Sequence, residues 1–308
     1  MSVSELGLGC AALSGVFGRV DWDVAMRTLH RALDLGVTFL DTSNVYGAGH
    51  NEVLVGRGIA TSSVPRDQIQ LVSKFGIDRS LGRGRAEVHR GEPAYVKRAC
   101  EESLMRLGVD TIDLYYMHRP PRSNPIEETV GAMAELVTEG KVRYLGLSEV
   151  DNDLLRRACV VHPIAAVQVE YSMWHRTPEI SVLPAMRELG VALVPYSPLA
   201  RGYLSGTLSV GSFDDVDVRA KDFETVADKV ETMVSGIRIV ADRKGKEPAQ
   251  IALAWVLAQS ARFGVPVVPI PGTDRIKWLE QNIAALDISL DADDLAELDR
   301  VSNPPVAA

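Results

Sequence analysis

The chain has 308 residues, 46% hydrophobic and 24% charged, enough to bury one barrel-sized core or two smaller ones. A net charge of -8 and a pI near 5.4 argue against a nucleic-acid surface and suit a soluble protein. Cys10, Cys100 and Cys159 show no paired spacing, so neither a zinc ribbon nor a disulfide framework is expected, and a reducing, cytoplasmic setting fits. The apolar runs are far too short to span a membrane. Residues 1–7 lack the basic region and apolar core of a signal peptide.

In chain order, Leu6–Cys10 is a short apolar segment with glycines. Trp22–Leu35 has apolar residues at helical spacing and stops at Gly36. Val37–Leu40 is a buried strand ending in Asp41, and Asn51–Ala60 a second helix. Gln68–Ser73 is the third strand, ending at Lys74. A Gly/Arg-rich loop, Gly76–Glu92, precedes a helix opened by Pro93 and stopped by Gly108. Thr111–Met117 is the fourth strand, ending at His118, and Pro125–Glu139 a helix stopped by Gly140. Val142–Leu147, the fifth strand, ends at Ser148. Asp151 caps a short helix to Cys159. Ala165–Val169, the sixth strand, holds Gln168 near its end, and the helix Pro178–Leu189 stops at Gly190. Val191–Val194 is the seventh strand, leading into Pro195-Tyr196-Ser197-Pro198. Arg201–Glu224 reads as a long polar loop, followed by helices over Thr225–Arg243 and Pro248–Ser260. Val265–Ile270 is the eighth strand, with helices Asp274–Leu286 and Asp291–Arg300 after it. Eight strand-then-helix units predict a (β/α)₈ TIM barrel, an eight-stranded parallel barrel with outer helices, as one domain over residues 1–308.

In such a barrel the strand ends share one face. Asp41, Lys74 and His118 can therefore converge, with Tyr46 on the loop above Asp41. A tyrosine holds its proton to a pKa near 10, and a neighbouring ammonium lowers that value. Lys74 is expected to act this way, with Asp41 holding Lys74 charged and in place. His118 can orient a carbonyl oxygen by a hydrogen bond. The set protonates an oxygen on which negative charge develops, as reduction of a carbonyl by hydride requires. Each residue alone reads more simply as a turn residue, a solvated charge, a packed histidine or a surface aromatic. Four complementary groups on successive strand ends reverse those odds.

The eighth strand leads into Gly272-Thr273-Asp274-Arg275-Ile276-Lys277. A helix N-terminus there makes an anion site, and barrels place phosphates at the loops after strands seven and eight. Arg275 and Lys277 suit an extra 2′-phosphate, and so NADP over NAD. Tyr196 offers a flat face to a nicotinamide ring, and Ser148 and Gln168 offer hydrogen bonds to its carboxamide. Gly7-Leu-Gly9-Cys-Ala-Ala12 fits G-x-G-x-x-G/A loosely, but no helix is expected to open there. No Tyr-x-x-x-Lys pair, G-x-S-x-G elbow or P-loop is present, and the six histidines show no metal-ligand spacing, so no metal is expected.

Blocks of sequence then match a known family: Leu6-Gly-Leu-Gly-Cys10, Phe39-Leu-Asp-Thr-Ser-Asn-Val-Tyr-Gly47, Val72-Ser-Lys-Phe-Gly76, Asp110-Thr-Ile-Asp-Leu-Tyr-Tyr-Met-His118, Gly140-Lys-Val-Arg-Tyr-Leu-Gly-Leu-Ser148, Val194-Pro-Tyr-Ser-Pro-Leu-Ala-Arg-Gly202 and Val268-Pro-Ile-Pro-Gly-Thr273. The chain resembles the aldo-keto reductases, in particular the branch of the pyridoxal and perakine reductases. The resemblance implies NADPH as cofactor and a tetrad of Asp41, Tyr46, Lys74 and His118 with Tyr46 as the acid. It implies cofactor contacts from Gly9, Cys10, Asp41, Ser148, Gln168, Tyr196, Ser197, Leu199, Arg201, Gly202, Gly272, Thr273, Arg275, Lys277, Gln281 and Asn282. Many members carry Asn after the strand-five serine where this chain has Glu149, and Glu-Asn where it has Gln281-Asn282. Members begin with a hairpin that plugs the barrel floor. This chain starts almost at the first strand, so the floor is sealed some other way or the start lies elsewhere. The short C-terminus implies an open pocket.

The expected activity is NADPH-dependent reduction of an aldehyde or ketone by a monomer or weak homo-oligomer, with no nucleic-acid or membrane partner. Rival readings are a reductase of a keto-sugar or other biosynthetic carbonyl intermediate, and an NADPH-binding regulatory or sensor subunit. Arg79, Arg83, Arg85 and Arg90 in the Gly76–Glu92 loop either form a substrate rim favouring anionic or phosphorylated substrates or are a solvated basic loop.

Overall fold

The computed structural model describes residues 1–16, 18–78, 88–122, 124–209, 213, 217 and 219–302. Seven parallel strands form one sheet in chain order: β1 (Leu8–Gly9), β2 (Phe39–Asp41), β3 (Gln70–Phe75), β4 (Ile112–Met117), β5 (Val142–Ser148), β6 (Ile164–Glu170) and β7 (Ala192–Tyr196). The predicted eighth strand closes the ring without forming a regular ladder, because Pro266, Pro269 and Pro271 lack N–H groups. On the β7 side, Leu193 N–H donates to Pro266 O (2.8 Å), Val268 N–H to Leu193 O (2.9 Å) and Ile270 N–H to Pro195 O (3.0 Å). On the β1 side, Gly7 N–H donates to Pro269 O (2.9 Å) and Gly9 N–H to Pro271 O (3.3 Å). The fold is a TIM barrel.

The outer helices are α1 (Trp22–Asp34), α2 (His50–Ala60), α3 (Pro93–Leu107), α4 (Ile126–Thr138), α5 (Asn152–Val161), α6 (Pro178–Ser181), α7 (Leu183–Leu189), α8 (Ala220–Lys244), α9 (Pro248–Phe263), α10 (Ile276–Ile283) and α11 (Ala292–Val301). The predicted helix Pro178–Leu189 is therefore two. Pro184 cannot donate to the ladder and disfavours helical backbone before it, and the chain breaks at Val182 (φ -145°). Helix α8 starts earlier than its polar sequence suggests. Buried Phe223 packs on Phe213 and Tyr203 and fixes its first turn. A short 3₁₀ helix, Cys10–Ser14, opens where none was expected and ends at Gly15 in the left-handed region (φ 80°).

The start and end of the Gly/Arg-rich segment pair as an antiparallel foot, Ile77–Asp78 against Val88–His89. Arg79, Arg83 and Arg85 lie outside the described residues. Arg90 is no presented cation. It pairs with Asp78 (3.1 Å) and Glu92 (3.2 Å) and covers the Tyr95 ring.

Alternation along the strands sorts side chains between two environments. Leu71, Tyr115, Leu145, Val167 and Leu193 face the helices. Phe39, Val72, Leu114, Tyr116, Ala166, Val194, Val268 and Ile270 fill the barrel, with Val3 packed against them. Two residues beyond this filling, on the same inward parity, come Asp41, Lys74, His118, Ser148, Gln168 and Tyr196. Gly146 pairs with Tyr116 in register and leaves room for its ring, since a Cβ there would lie 2.4 Å from Tyr116 Cε1. Gly146→Ala is therefore expected to cost about 1–3 kcal/mol by overpacking. Urea unfolding measures it, and an unchanged midpoint would contradict this packing.

Candidate active site

Lys74 is fully buried, yet it carries an ammonium. Such a charge persists only when it is paired and hydrogen-bonded. Its three N–H donors find three acceptors: the Asp41 carboxylate through Oδ1, Thr42 O at 2.8 Å and the Tyr46 hydroxyl at 3.3 Å. The other Asp41 oxygen accepts from Gln168 Nε2 (2.8 Å). Burial pulls the Lys74 pKa down, but Asp41 and Tyr46 outweigh it and the net shift is upward.

Tyr46 lies half-buried at the rim, its ring edge-on to His118 with centroids 5.9 Å apart. Lys74 pulls its pKa down as expected from the sequence, but the net shift is upward. Burial raises it more than Lys74 lowers it, and Asp41 adds to the rise. Tyr46 is thus a neutral phenol at neutral pH. His118 is buried, with Nδ1 3.1 Å from Ser43 Oγ. The backbone beneath Tyr46 is clamped by buried Asn51. Its Oδ1 accepts from Thr42 Oγ1 (2.6 Å), and its Nδ2 donates to Cys10 O (2.8 Å) and Ser14 Oγ (2.7 Å). The four predicted residues therefore meet in one network, and reading the sequence missed Ser43 and Asn51. The only signal for Asn51 was its position five residues after Tyr46.

Ser148 and Gln168 are register partners on β5 and β6, and Glu170 pairs with Tyr196 across β6 and β7. Gln168 already spends a donor on Asp41, and Ser148 Oγ receives Arg119 Nη1 (3.4 Å). Glu149, at the predicted carboxamide position, has φ 55° and accepts Glu170 N–H (3.1 Å). Burial raises the Tyr196 pKa, and the adjacent Glu149 carboxylate raises it further. Cys10 is buried in the core with its thiol against Leu8 O (3.5 Å), so only its backbone can reach a ligand.

After β7, Ser197 (φ 50°), Ala200 (φ 48°), Arg201 (φ 58°) and Gly202 (φ 93°) make a tightly coiled loop, with Leu199 half-buried among them. Arg219 donates to Arg201 O (2.9 Å). After the eighth stave, Gly272 and Gly9 pack backbone to backbone. A Cβ on Gly272 would meet Gly9 O at 2.8 Å, and one on Gly9 would meet Ile270 O at 2.7 Å. This bare, exposed backbone leads into α10, with buried Thr273 and exposed Arg275 on its approach and exposed Lys277 in its first turn. Gln281 and buried Asn282 sit on α10 itself. Helix α10 starts at Ile276, two residues later than predicted, with Arg275 as N-cap. A glycine ledge before a helix N-terminus, flanked by cations, fits the phosphates of a dinucleotide. Among the described residues no three His, Cys, Asp or Glu side chains cluster as metal ligands, and no helix is long and apolar enough to cross a membrane.

Removing one member of a buried pair strands the other charge. Asp41→Asn is expected to destabilise the protein by about 3–5 kcal/mol in urea unfolding. Because the folded Lys74 pKa lies above the ordinary 10.5, its stabilisation is complete below that pH and is lost as pH rises through the folded value. Parent stability should therefore fall on the alkaline side above pH 10.5, and Asp41→Asn should flatten that limb. A limb equally steep in both proteins would contradict the pairing.

A sequence model of the Aldo/keto reductase family matches residues 5–303. The chain is 44% identical over 301 residues to the probable aldo-keto reductase 1 of Glycine max, covering 96% of this chain and 84% of that one. Among solved structures it is similar to a glycerol dehydrogenase from Gluconobacter oxydans (TM-score 0.88, 28% identity, 98% and 92% of the two chains). It is also similar to an aldo/keto reductase from Klebsiella pneumoniae solved with NADP and acetate (TM-score 0.77, 30% identity, 98% and 93%).

Proposed function

The chain belongs to the aldo/keto reductase family, and from that premise we propose that it reduces an aldehyde or ketone with NADPH, using Tyr46 as proton donor. The observation that carries this reading is the saturation of Lys74. Its third N–H points at the Tyr46 oxygen, so the phenol accepts from Lys74 and its own proton is left to point elsewhere, toward a substrate oxygen. The cofactor, when bound, supplies the hydride that adds to the carbonyl carbon. Tyr46 passes its proton to the carbonyl oxygen, and Lys74, anchored by Asp41, stabilises the phenolate left behind. The Ser43 hydroxyl is nearer His118 Nδ1 (3.1 Å) than Lys74 O (3.4 Å). Donating to Nδ1 puts the ring proton on Nε2, which then donates to the carbonyl oxygen and orients it.

In this reading Ser148, Gln168 and Tyr196 receive the nicotinamide, with Asp41, Gly9 and the Cys10 backbone at its edge. Gly272, Thr273, Arg275, Lys277, Gln281 and Asn282 hold the phosphates and adenosine. Ser197, Leu199, Arg201 and Gly202 cover them from the β7 side. The single barrel domain works in the cytoplasm as a monomer or weak homo-oligomer, its cysteines reduced.

The test is NADPH consumption with benzaldehyde by parent and Tyr46→Phe. The substitution removes the donor and keeps the ring. It is expected to lower kcat by about 10²–10⁴ while NADPH fluorescence shows binding retained. Equal turnover in the two proteins would overturn the assignment.

A further inference from the structure

Eleven lysines and arginines with described side chains are not exposed, and ten have a carboxylate within the 4.0 Å of an ion pair. The exception among them is Arg119. Arg119 thus departs from the pairing of the other cations of this class, and an arginine without an acidic partner among the described residues keeps its guanidinium available to an external anion. Its position is specific. Arg119 follows His118 at the end of β4. Its Nη1 donates to His118 O (2.9 Å) and approaches Ser148 Oγ (3.4 Å) on β5, so the guanidinium lies across the mouth of the barrel between these strands. Its charge acts on both Tyr46 and Tyr196, favouring their ionised forms. These are the proposed proton donor and the proposed nicotinamide platform. Glu149, just past the end of β5, has its carboxylate bound to the Glu170 backbone N–H. The hydrogen bonds to His118 O and Ser148 Oγ both use Nη1, and the guanidinium fork recognises carboxylates through paired N–H groups.

We propose that Arg119 is the specificity-determining residue of this site and that the substrate is a carbonyl compound bearing a carboxylate. This deepens the proposed carbonyl-reductase reading and rests on it. The same guanidinium chemistry would also suit a cofactor phosphate, so the experiment separates the two sources.

The test uses 4-carboxybenzaldehyde and its methyl ester with parent, Arg119→Gln and Arg119→Lys. It also measures NADPH binding and the binding of benzoate to the NADPH-loaded proteins, both by cofactor fluorescence. The parent is expected to prefer the acid in kcat/KM. Arg119→Gln should lower the acid-to-ester ratio at least about tenfold, the size of one charge-assisted hydrogen bond. Arg119→Lys should restore part of it, and the Kd for NADPH should stay within about twofold. An unchanged ratio, or a parent with no preference for the acid, overturns the proposal. Loss of NADPH affinity with equal loss on both aldehydes assigns Arg119 to the cofactor and also overturns it. If the parent reduces neither aldehyde, the reductase reading fails. Benzoate binding then decides the site alone: binding to the parent and not to Arg119→Gln upholds the anion site, and equal or absent binding in both removes it.

Discussion

The site depends on a single electrostatic constraint, an ammonium held inside a barrel and fully buried. Lys74 has inward parity on β3, one step above the apolar filling, and is fully buried. Such a group stays charged only if every donor is met. Asp41 on the neighbouring strand and Thr42 just beyond it meet two, and the third fixes Tyr46. The same demand shapes the surrounding backbone. Thr42 N–H reaches Val72 O and Asn44 N–H reaches Lys74 O, while Asn51 ties this turn to the loop after β1. The position of one phenol is thus the outcome of a charge-satisfaction problem two strands wide.

Backbone strain gathers on the same face. Among the described residues, the non-glycine positions with positive φ are Ala48, Glu149, Ser197, Ala200 and Arg201. All follow barrel strands at their C-terminal ends. Each such conformation costs on the order of 1–2 kcal/mol, and strain of this kind persists where surrounding contacts over-determine the chain. Glu149 illustrates this, because a glutamate gains nothing from a left-handed backbone, yet its carboxylate joins the ends of β5 and β6. The floor of the barrel is by contrast plain packing, with glycine set against tyrosine and small against large.

Much of this could be read from the sequence because strands repeat every two residues. Once Asp41, Lys74 and His118 are placed at strand ends, parity alone sends them to a common interior. Other features depend on contacts that pattern cannot reveal. The eighth stave carries three prolines, and only its two neighbours show that its remaining groups suffice for closure. The sign of the Tyr46 shift turns on burial against the pull of Lys74, and the sequence names that charge but not the burial. Arg90 and Arg119 look alike in the text, yet one is locked between Asp78 and Glu92 and the other has no acidic partner among the described residues. Arg79, Arg83 and Arg85 lie outside the described residues, and the proposed anion site rests on Arg119 instead.

The central claim is that Tyr46 keeps its proton at neutral pH because burial outweighs the pull of Lys74. The direct measurement is the pH titration of tyrosine ionisation by ultraviolet difference absorbance, taking parent minus Tyr46→Phe so that only this phenol is followed. The account requires the difference signal to remain that of a neutral phenol beyond pH 10.0, the ordinary tyrosine value. Ionisation of Tyr46 near neutral pH would contradict it and would make Tyr46 a standing phenolate instead of a proton donor.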